Sequence, residues 1–430
     1  MTDQKRENLL NLALAATEVE RRRVPELSAG YNSYSKTWEV IVQYQGDLAF
    51  LEEQGVRVTL LLFSYAILLV PESLMDYVTG LPQITYLEKP KLLYFADAFV
   101  RSISCITPVQ EGVMGLSGNG VLLACIDSGV DYAHPDFCAP DGTSRIAILW
   151  DQTIPGNPPM GYALGSVYTR RQINEALASS TPEERFALVP SRDVTGHGTA
   201  VLGIAAGNGR SSAYAAMRGV APEATLVVVK LGNPDPADLP RTSQLLQAVD
   251  FCVRYALLVE RPLVINLSFG NNYGSHSGDS LLETYLNAVS NLGQNVICIG
   301  AGNEGDTGRH YAGNLKSDRK SSGQTQTVRA TSDPAATSAV SATADRAVSV
   351  EFQVGAYESS FSLQIWKVYG DEISIELISP GGIRSGTLSP VLGTARLTLG
   401  PTELLLFYGM PSPYSQACLL YTSDAADEGL

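Results

Sequence analysis

The sequence predicts an α/β protein in three parts: a small ferredoxin-like domain, a domain built on a mostly parallel sheet, and a β-rich C-terminal region. Three observations lead to this fold class. Residues 36–93 follow the order βαββαβ, which is the ferredoxin-like motif. Between Val109 and Gly305, continuous apolar runs alternate with amphipathic helical patterns, as in a parallel sheet covered on both faces. After Gly305, apolar and polar residues alternate with period two between turn residues.

The front domain is predicted from short segments. TWEVIVQY is a strand, LAFLEEQG is a helix that ends at Gly55, and PESLMDYVTGLP is a second helix before a last strand in QITYLEKPKLLYF. The apolar run Val58–Pro71 is interpreted as one or two buried strands with a turn near Ser64. This run is too short to cross a bilayer.

The central domain is predicted from four apolar runs, each of which reads as a buried parallel strand. They are GVLLACIDSGV, RGVAPEATLVVVKL, RPLVINLSFG and QNVICIGAGN. A helix in SQLLQAVDFCVRYALLVE lies between the second and third runs. Its apolar side consists of Leu245, Leu246, Val249, Cys252, Val253, Ala256 and Leu257.

The C-terminal region is expected to form a β-sandwich or jelly roll. Its predicted strands are SVEFQV, SSFSLQIW, EISIELISP, TARLTL and TELLLFYG. A carbohydrate-binding module is one alternative for such a sandwich. That alternative rests on Trp366 and Tyr369, which fit a core or a rim equally well.

Composition excludes several classes of function. The net charge of −14 argues against a nucleic-acid partner, because phosphate binding needs a basic face. The N-terminus has no signal-peptide core and the chain no membrane-spanning run, so we expect neither export nor membrane association. No metal-ligand cluster is seen and no cofactor is expected. Cys125, Cys252 and Cys298 lie in apolar runs and are expected to be buried free thiols, typical of a reducing compartment.

Three polar residues follow predicted strands or begin a predicted helix. These positions lie at the carboxyl ends of the strands, where α/β sheets bind their ligands. Asp127 ends a fully apolar strand, His197 lies between two glycines, and Asn303 follows a strand in a glycine turn. Singly, these could be an N-cap, a loop histidine and a turn residue. Together, they supply the groups that catalyse acyl transfer. The carboxylate orients the imidazole, the imidazole is the general base, and the amide stabilises the oxyanion.

The segments IDSGVDYAHPDF, GHGTAVLGIAAG, RGVAPEATL, INLSFG and GAGNEG resemble the subtilisin-type serine peptidases, in that family's order Asp, His, Ser. The resemblance covers about Val109 to Gly305. It implies a serine endopeptidase in which Asp127 and His197 are triad members and Asn303 is the side-chain donor of the oxyanion hole. It also implies that Leu267, Ser268, Phe269 and Gly270 pair with an extended protein or peptide substrate.

The regions on either side of the central domain resemble one group within the subtilisin-type peptidases. The front domain is similar to a subtilase propeptide, which implies the protein's own propeptide as a second partner. ILWDQTI, VYTRRQIN and the C-terminal β-rich region resemble the Csp subtilases of spore-forming anaerobes, in which a jelly roll precedes the catalytic serine. That resemblance implies a cytoplasmic or spore-associated protein. The alternative for the front domain is a permanent domain held by packing alone.

The nucleophile that the resemblance requires, a Gly-Thr-Ser helix start after the jelly roll, is missing. The GTS at Gly142–Ser144 precedes a predicted strand and His197, and the ATS at Ala330–Ser332 lies in a polar loop. We therefore expect the serine to be absent from this chain. The alternative function is a pseudoprotease that binds and regulates a partner.

The last residues fit none of the preceding elements. CLLYTSDAADE, Cys418–Glu428, resembles one reading frame of a transposon-end adapter used in sequencing libraries. We expect native sequence to stop near Ala417, against the alternative of a genuine polar tail. The expected domains are a propeptide-like domain over 1–95, an incomplete catalytic domain over 96–325, a partial jelly roll over 326–417 and an artefact over 418–430.

Overall fold

The fold is that of a computed structural model, which describes residues 4–92, 94–95, 106–111, 114–211, 218–233, 239–304, 308, 310–313, 341–343, 347–352, 354, 360–368, 373–388, 392–409 and 417–426. Within this part of the chain, no helix is long and apolar enough to cross a membrane. The helices are α1 Asn8–Ala15, α2 Glu18–Arg23, α3 Pro25–Ser28, α4 Phe50–Glu53, α5 Met75–Gly80, α6 Ile106–Glu111, α7 Arg170–Leu177, α8 Pro182–Leu188, α9 His197–Ala206, α10 Thr242–Leu258 and α11 Leu281–Ser290.

The strands fall into three regions. The front domain contains β1 Tyr31–Asn32, β2 Thr37–Tyr44, β3 Arg57–Leu60, β4 Tyr65–Pro71 and β5 Ile84–Glu88, followed by β6 Tyr94–Phe95. The central domain contains β7 Leu122–Asp127, β8 Ile146–Asp151, β9 Ser166–Thr169, β10 Thr225–Lys230, β11 Leu263–Leu267, β12 Phe269–Gly270 and β13 Asn295–Ile299. The C-terminal region contains β14 Ser341–Thr343, β15 Ala347–Ser349, β16 Ser360–Val368, β17 Gly393–Leu399, β18 Thr402–Tyr408 and β19 Ala417–Ala426.

The front domain has the predicted ferredoxin-like topology. Its sheet runs β1-β2-β4-β3, with β5 paired to β2, and every pair is antiparallel. The apolar run Val58–Pro71 spans most of β3, a 3₁₀ turn at Leu62–Ser64 and β4, as predicted. Phe63 and Ser64 have φ values of 58° and 62° in that turn. The positive φ values mark the reversal between the two strands.

The central sheet has the order β13-β11-β7-β10-β8-β9, parallel except for the edge strand β9. In β7, Leu122, Ala124 and Ile126 face a core shared with α10 and α11, whereas Leu123 and Cys125 face a core shared with α9. Both faces of the strand are therefore buried, which explains its uninterrupted apolar sequence.

The front domain lies on α10 and α11, and carboxylates meet the amino ends of both helices. Glu88 accepts a hydrogen bond from the Leu281 amide at 2.9 Å, and the Lys91 carbonyl accepts one from the Thr242 amide at 2.8 Å. Glu39 accepts a hydrogen bond from the Ser243 hydroxyl. Because the first amides of a helix have no partner within it, the front domain caps both helices.

A buried carboxylate on α10 joins the same interface. Asp250 accepts hydrogen bonds from the hydroxyls of Tyr162 and Tyr285 at 2.7 and 2.9 Å. It also accepts the Leu62 amide of the front domain at 2.9 Å and pairs with Arg254. Four donors compensate the desolvation of this carboxylate, and one of the four comes from the front domain.

The C-terminal region departs from the prediction. Strands β16, β19, β18 and β17 form one four-stranded antiparallel sheet in that order, and β14 and β15 form a separate pair. The second sheet of a jelly roll is not found among the described residues. Of the described residues of SVEFQV, only the first, Ser349, belongs to a strand, the end of β15. The described part of EISIELISP makes two isolated bridges, Ile375 with Leu388 and Ile378 with Arg384, instead of a strand.

The last strand includes the segment that resembles an adapter. β19 pairs through its backbone with β16 on one side and β18 on the other. Backbone pairing of this kind sets few requirements on side chains, so the origin of residues 418–430 stays a prediction.

Candidate active site

The proposed triad residues meet at the carboxyl edge of the central sheet. His197 Nδ1 lies 2.7 Å from Asp127 Oδ1, and their side chains are 9% and 1% exposed. Asp127 is the last residue of β7, and His197 is the first of α9. The Ser128 amide donates a second hydrogen bond to Asp127 Oδ1 at 2.7 Å. A carboxylate held in this way keeps the proton of a neutral imidazole on Nδ1 and leaves Nε2 as the basic nitrogen.

The two glycines around His197 serve different purposes. Gly196 has a φ of 76°, a backbone conformation that glycine adopts without steric cost. At Gly198, an added Cβ would lie 2.1 Å from the carbonyl oxygen of Gly129 and 3.1 Å from Cβ of Asp127. The helix therefore approaches the Asp127 loop so closely that no side chain fits at position 198.

Asp193 holds the turn that carries His197, a role that the sequence analysis missed. Its carboxylate accepts hydrogen bonds from the Ser128 hydroxyl at 2.8 Å, the Gly196 amide at 3.0 Å and the Thr199 hydroxyl at 2.7 Å. Burial raises the pKa of Asp193, but the hydrogen bonds from Thr199, Ser128 and Gly196 outweigh it and leave the pKa below its ordinary value. The available signal was an acidic residue three positions before the Gly-His-Gly turn.

Asn303 is not in contact with the Asp127–His197 pair. It is exposed in the turn that follows β13, where Gly302 has a φ of 87°. β13 lies two strands from β7 in the parallel sheet, a separation of about 10 Å. Both strands end at the same edge, so Asn303 lies at the edge of the sheet that also holds the pair.

The predicted substrate strand is occupied by the chain itself. In β12, Phe269 and Gly270 pair antiparallel with Phe95 and Tyr94 of β6, respectively. The flanking Leu267 and the Phe269 side chain are buried, and the Ser268 hydroxyl accepts a hydrogen bond from the side-chain amide of Asn266 at 2.8 Å. The segment that follows the front domain therefore lies along the edge where a substrate strand is expected.

Ser144 is too far from His197 to act with it. Its side chain is buried before β8, where the Ser144 hydroxyl accepts the Ile146 amide at 3.0 Å. This is the amino edge of the sheet, about 17 Å of strand length away from the edge that holds Asp127. The predicted strand after Gly142–Ser144 is confirmed as β8. Ala330–Ser332 lies outside the described residues.

The four thiols that the structure describes offer no substitute nucleophile at the pair. Cys125, Cys138 and Cys252 are buried free thiols. Burial raises the pKa of Cys125 and Cys252, so neither forms a thiolate readily. Cys298 is also a free thiol, but the expectation that it is buried was wrong, because β13 is an edge strand whose outer side is uncovered.

Comparisons with known proteins identify the family of this chain. Residues 118–404 match the family model described as the subtilase family, and residues 4–91 match that of the Csp protease B prodomain. Subtilisin E of Bacillus subtilis (strain 168) is 26% identical over 228 residues, which are 53% of this chain and 46% of that protein. The major intracellular serine protease of the same organism is 28% identical over 205 residues, 47% of this chain and 49% of that protein.

A solved structure is similar over most of this chain. The Clostridium perfringens CspB protease is 28% identical with a TM-score of 0.62, over 76% of this chain and 60% of that one. The chain spans about half the length of the curated relatives described above. With two thirds of its residues matched by the family model, the chain belongs to the subtilase family.

Proposed function

We propose that this site hydrolyses peptide bonds by serine-type catalysis, in a form of the protein that supplies the nucleophile. The observation that carries the proposal is the 2.7 Å contact between the buried Asp127 carboxylate and His197 Nδ1. His197 is the general base that takes the serine proton and later donates it to the leaving amine. Asp127 fixes its tautomer and stabilises the imidazolium that forms.

Asn303 and β12 complete the proposed machinery. The side-chain amide of Asn303 donates to the oxyanion of the tetrahedral intermediate. It reaches the oxyanion when a substrate lies between Asn303 and His197. Leu267, Ser268, Phe269 and Gly270 form the strand that binds the substrate, and the β6–β12 pairing supports this role. The same pairing supports residues 1–95 as a propeptide that occupies the site as an inhibitor.

The catalytic domain of this chain is proposed to be incomplete. Parallel strands are normally covered on both faces, yet Val296 and Ile299 of β13 are 55% and 59% exposed. Leu292, just before this strand, is 42% exposed. An uncovered apolar edge strand supports the absence of the part of the domain that would pack there and carry the serine.

The second candidate function is a pseudoprotease that binds and regulates a partner. The expected lack of a Gly-Thr-Ser nucleophile in the sequence favours it. Retention of the Asp127–His197 contact favours the peptidase, because a binding scaffold has no need of that pair. The carbohydrate-binding alternative is disfavoured at Trp366, which is partly buried against a hydrophobic cluster; Tyr369 lies outside the described residues.

An NMR experiment on this chain tests the proposed pair without requiring turnover. We expect a strongly deshielded His197 Nδ1–H proton, because that proton is held in a buried hydrogen bond to a carboxylate. Asp127→Asn should shift this signal upfield or abolish it, whereas Asp131→Asn, on an exposed neighbouring loop, should leave it in place. A spectrum unaffected by Asp127→Asn would remove the basis of the triad assignment.

A further inference from the structure

The chain segment that leads into the His197 turn lies across the carboxyl ends of three neighbouring strands. Each strand end holds one of three consecutive residues of this segment through a side-chain hydrogen bond. The pairs are Ser191 with Asp151 of β8 at 2.6 Å, Arg192 with Lys230 of β10 at 2.6 Å, and Asp193 with Ser128 after β7 at 2.8 Å. The three strands are adjacent in the sheet, with β10 in the middle. The segment is therefore attached to each strand once before it reaches His197.

The middle attachment comes from a buried lysine. Lys230 is 3% exposed, and its Nζ donates to the carbonyl oxygen of Arg192, so it holds the backbone of the segment and not a side chain. A buried ammonium group costs free energy unless hydrogen bonds or opposite charges compensate it. An apolar side chain at position 230 would avoid that cost, but it would leave the Arg192 carbonyl without this donor. The contact therefore indicates a purpose beyond the packing of the sheet.

Lys230 lies in a row of alternating charges at the edge of the sheet. Its register partners are Asp127 of β7 and Asp151 of β8. Residues in direct register project from the same face of a sheet, and the three residues Asp127, Lys230 and Asp151 are 1%, 3% and 0% exposed. Asp127 Oδ2 is buried and has no hydrogen-bond partner among the described residues. Lys230 therefore places a buried positive charge beside a carboxylate that hydrogen bonds satisfy on one oxygen only.

A glycine in the Asp127 loop makes room for this lysine. Gly129 has a φ of 106°, and an added Cβ there would lie 3.0 Å from Cδ of Lys230 and 3.2 Å from the carbonyl oxygen of Arg192. A side chain at position 129 would therefore press on both partners of the hydrogen bond. Because the stem of Lys230 lies against Gly129, this one side chain contacts the loop that carries Asp127 and the segment that carries His197.

We propose that Lys230 is a positioning residue of the Asp127–His197 pair, and that its hydrogen bond to Arg192 fixes the segment that presents His197. The two members of the pair come from separate loops, so their 2.7 Å contact lasts only while the loops keep their relative position. Catalytic groups need to be held to within about 0.5 Å by the residues around them. This role rests on the proposed function, because the position of His197 matters to catalysis only if His197 is the base.

The 430-residue chain itself provides the test, through the exchange of the deshielded His197 Nδ1–H proton with water. This exchange reports how often the pair opens in the folded protein. Lys230→Met removes the ammonium group and keeps an unbranched stem against Gly129. We expect the His197 proton to exchange about tenfold to a hundredfold faster in this variant, as the loss of a hydrogen bond from a charged donor predicts.

Lys89→Met is the matched control for the loss of a buried ammonium group. Lys89 is 1% exposed, and its Nζ also donates to backbone carbonyl groups, those of Glu26 and Pro90 within the front-domain region. A purely structural effect of removing a buried lysine would be shared by both variants. We expect Lys89→Met to leave exchange of the His197 proton within about twofold of the wild-type rate.

Ser191→Ala tests a second attachment of the same segment by a smaller change, which decides the question even if Lys230→Met does not fold. It removes only the hydroxyl that donates to Asp151. Loss of one hydrogen bond between a hydroxyl and a carboxylate should speed exchange of the His197 proton about threefold to tenfold.

The outcomes separate this inference from the proposed function. Wild-type exchange in Ser191→Ala, and in Lys230→Met if that variant folds, would overturn the positioning role, as would an equal effect of Lys89→Met. If Asp127→Asn abolishes the His197 signal while Lys230→Met and Ser191→Ala leave it unchanged, this inference alone is wrong. Absence of the deshielded signal from the wild-type chain would contradict the proposed function as well.

Discussion

Asp127→Asn in the nucleophile-bearing form is expected to lower kcat by about ten-thousand-fold. Asp127 accepts the His197 Nδ1 proton at 2.7 Å inside the protein. An asparagine would present its amide nitrogen or require the other tautomer, so His197 Nε2 would no longer accept the serine proton. The assay is steady-state hydrolysis of a peptide substrate, with folding checked by circular dichroism.

A matched variant separates this loss from a change in folding. Asp131→Asn replaces an exposed aspartate of the same loop and should retain kcat within about twofold, as surface substitutions do. Near-normal turnover by Asp127→Asn would show that Asp127 is a structural cap and that the triad assignment is wrong.

The second large effect concerns processing of the front domain. In the nucleophile-bearing form we expect one cut between Tyr94 and Asp97, because Tyr94 and Phe95 already lie along Phe269 and Gly270 as a substrate strand would. The products should be a fragment of about 95 residues and a mature chain that begins near Ala96. The 430-residue chain should remain a single uncut species of 46.0 kDa.

N-terminal sequencing of the nucleophile-bearing form and of its serine-to-alanine variant decides between cutting by the enzyme and by another protease. A new terminus near Ala96 only in the active form supports self-processing. The same terminus in both forms would mean that a foreign protease made the cut. An intact chain in the active form would support the alternative of a permanent domain.

Patterns within one element predicted much of this fold. The six buried residues of β7 and the βαββαβ order of the front domain were evident because strand burial and turn positions leave a direct mark on sequence. The Asp127–His197 contact was also predictable, since both residues are placed by glycine-flanked turns at one sheet edge. Domain boundaries stay a prediction.

Burial and hydrogen bonds that depend on other segments of the chain could not be predicted from the sequence. QNVICI was expected to be buried on both faces, but β13 is an edge strand, and its apolar pattern does not show whether a partner is present. Leu257 was placed on the buried side of α10 and is 57% exposed, because the helix ends beyond the sheet that it covers. Asp250 was not singled out, since three of its four donors, the Leu62 amide and the hydroxyls of Tyr162 and Tyr285, come from distant segments.

Peptide hydrolysis by the 430-residue chain and by the nucleophile-bearing form, each with and without phenylmethylsulfonyl fluoride, tests the central claim most directly. For the 430-residue chain we expect only the residual catalysis of a site that lacks its nucleophile. For the nucleophile-bearing form we expect hydrolysis that the inhibitor abolishes. Robust inhibitor-sensitive hydrolysis by the 430-residue chain, or none by the nucleophile-bearing form after its front domain is removed, would contradict the account.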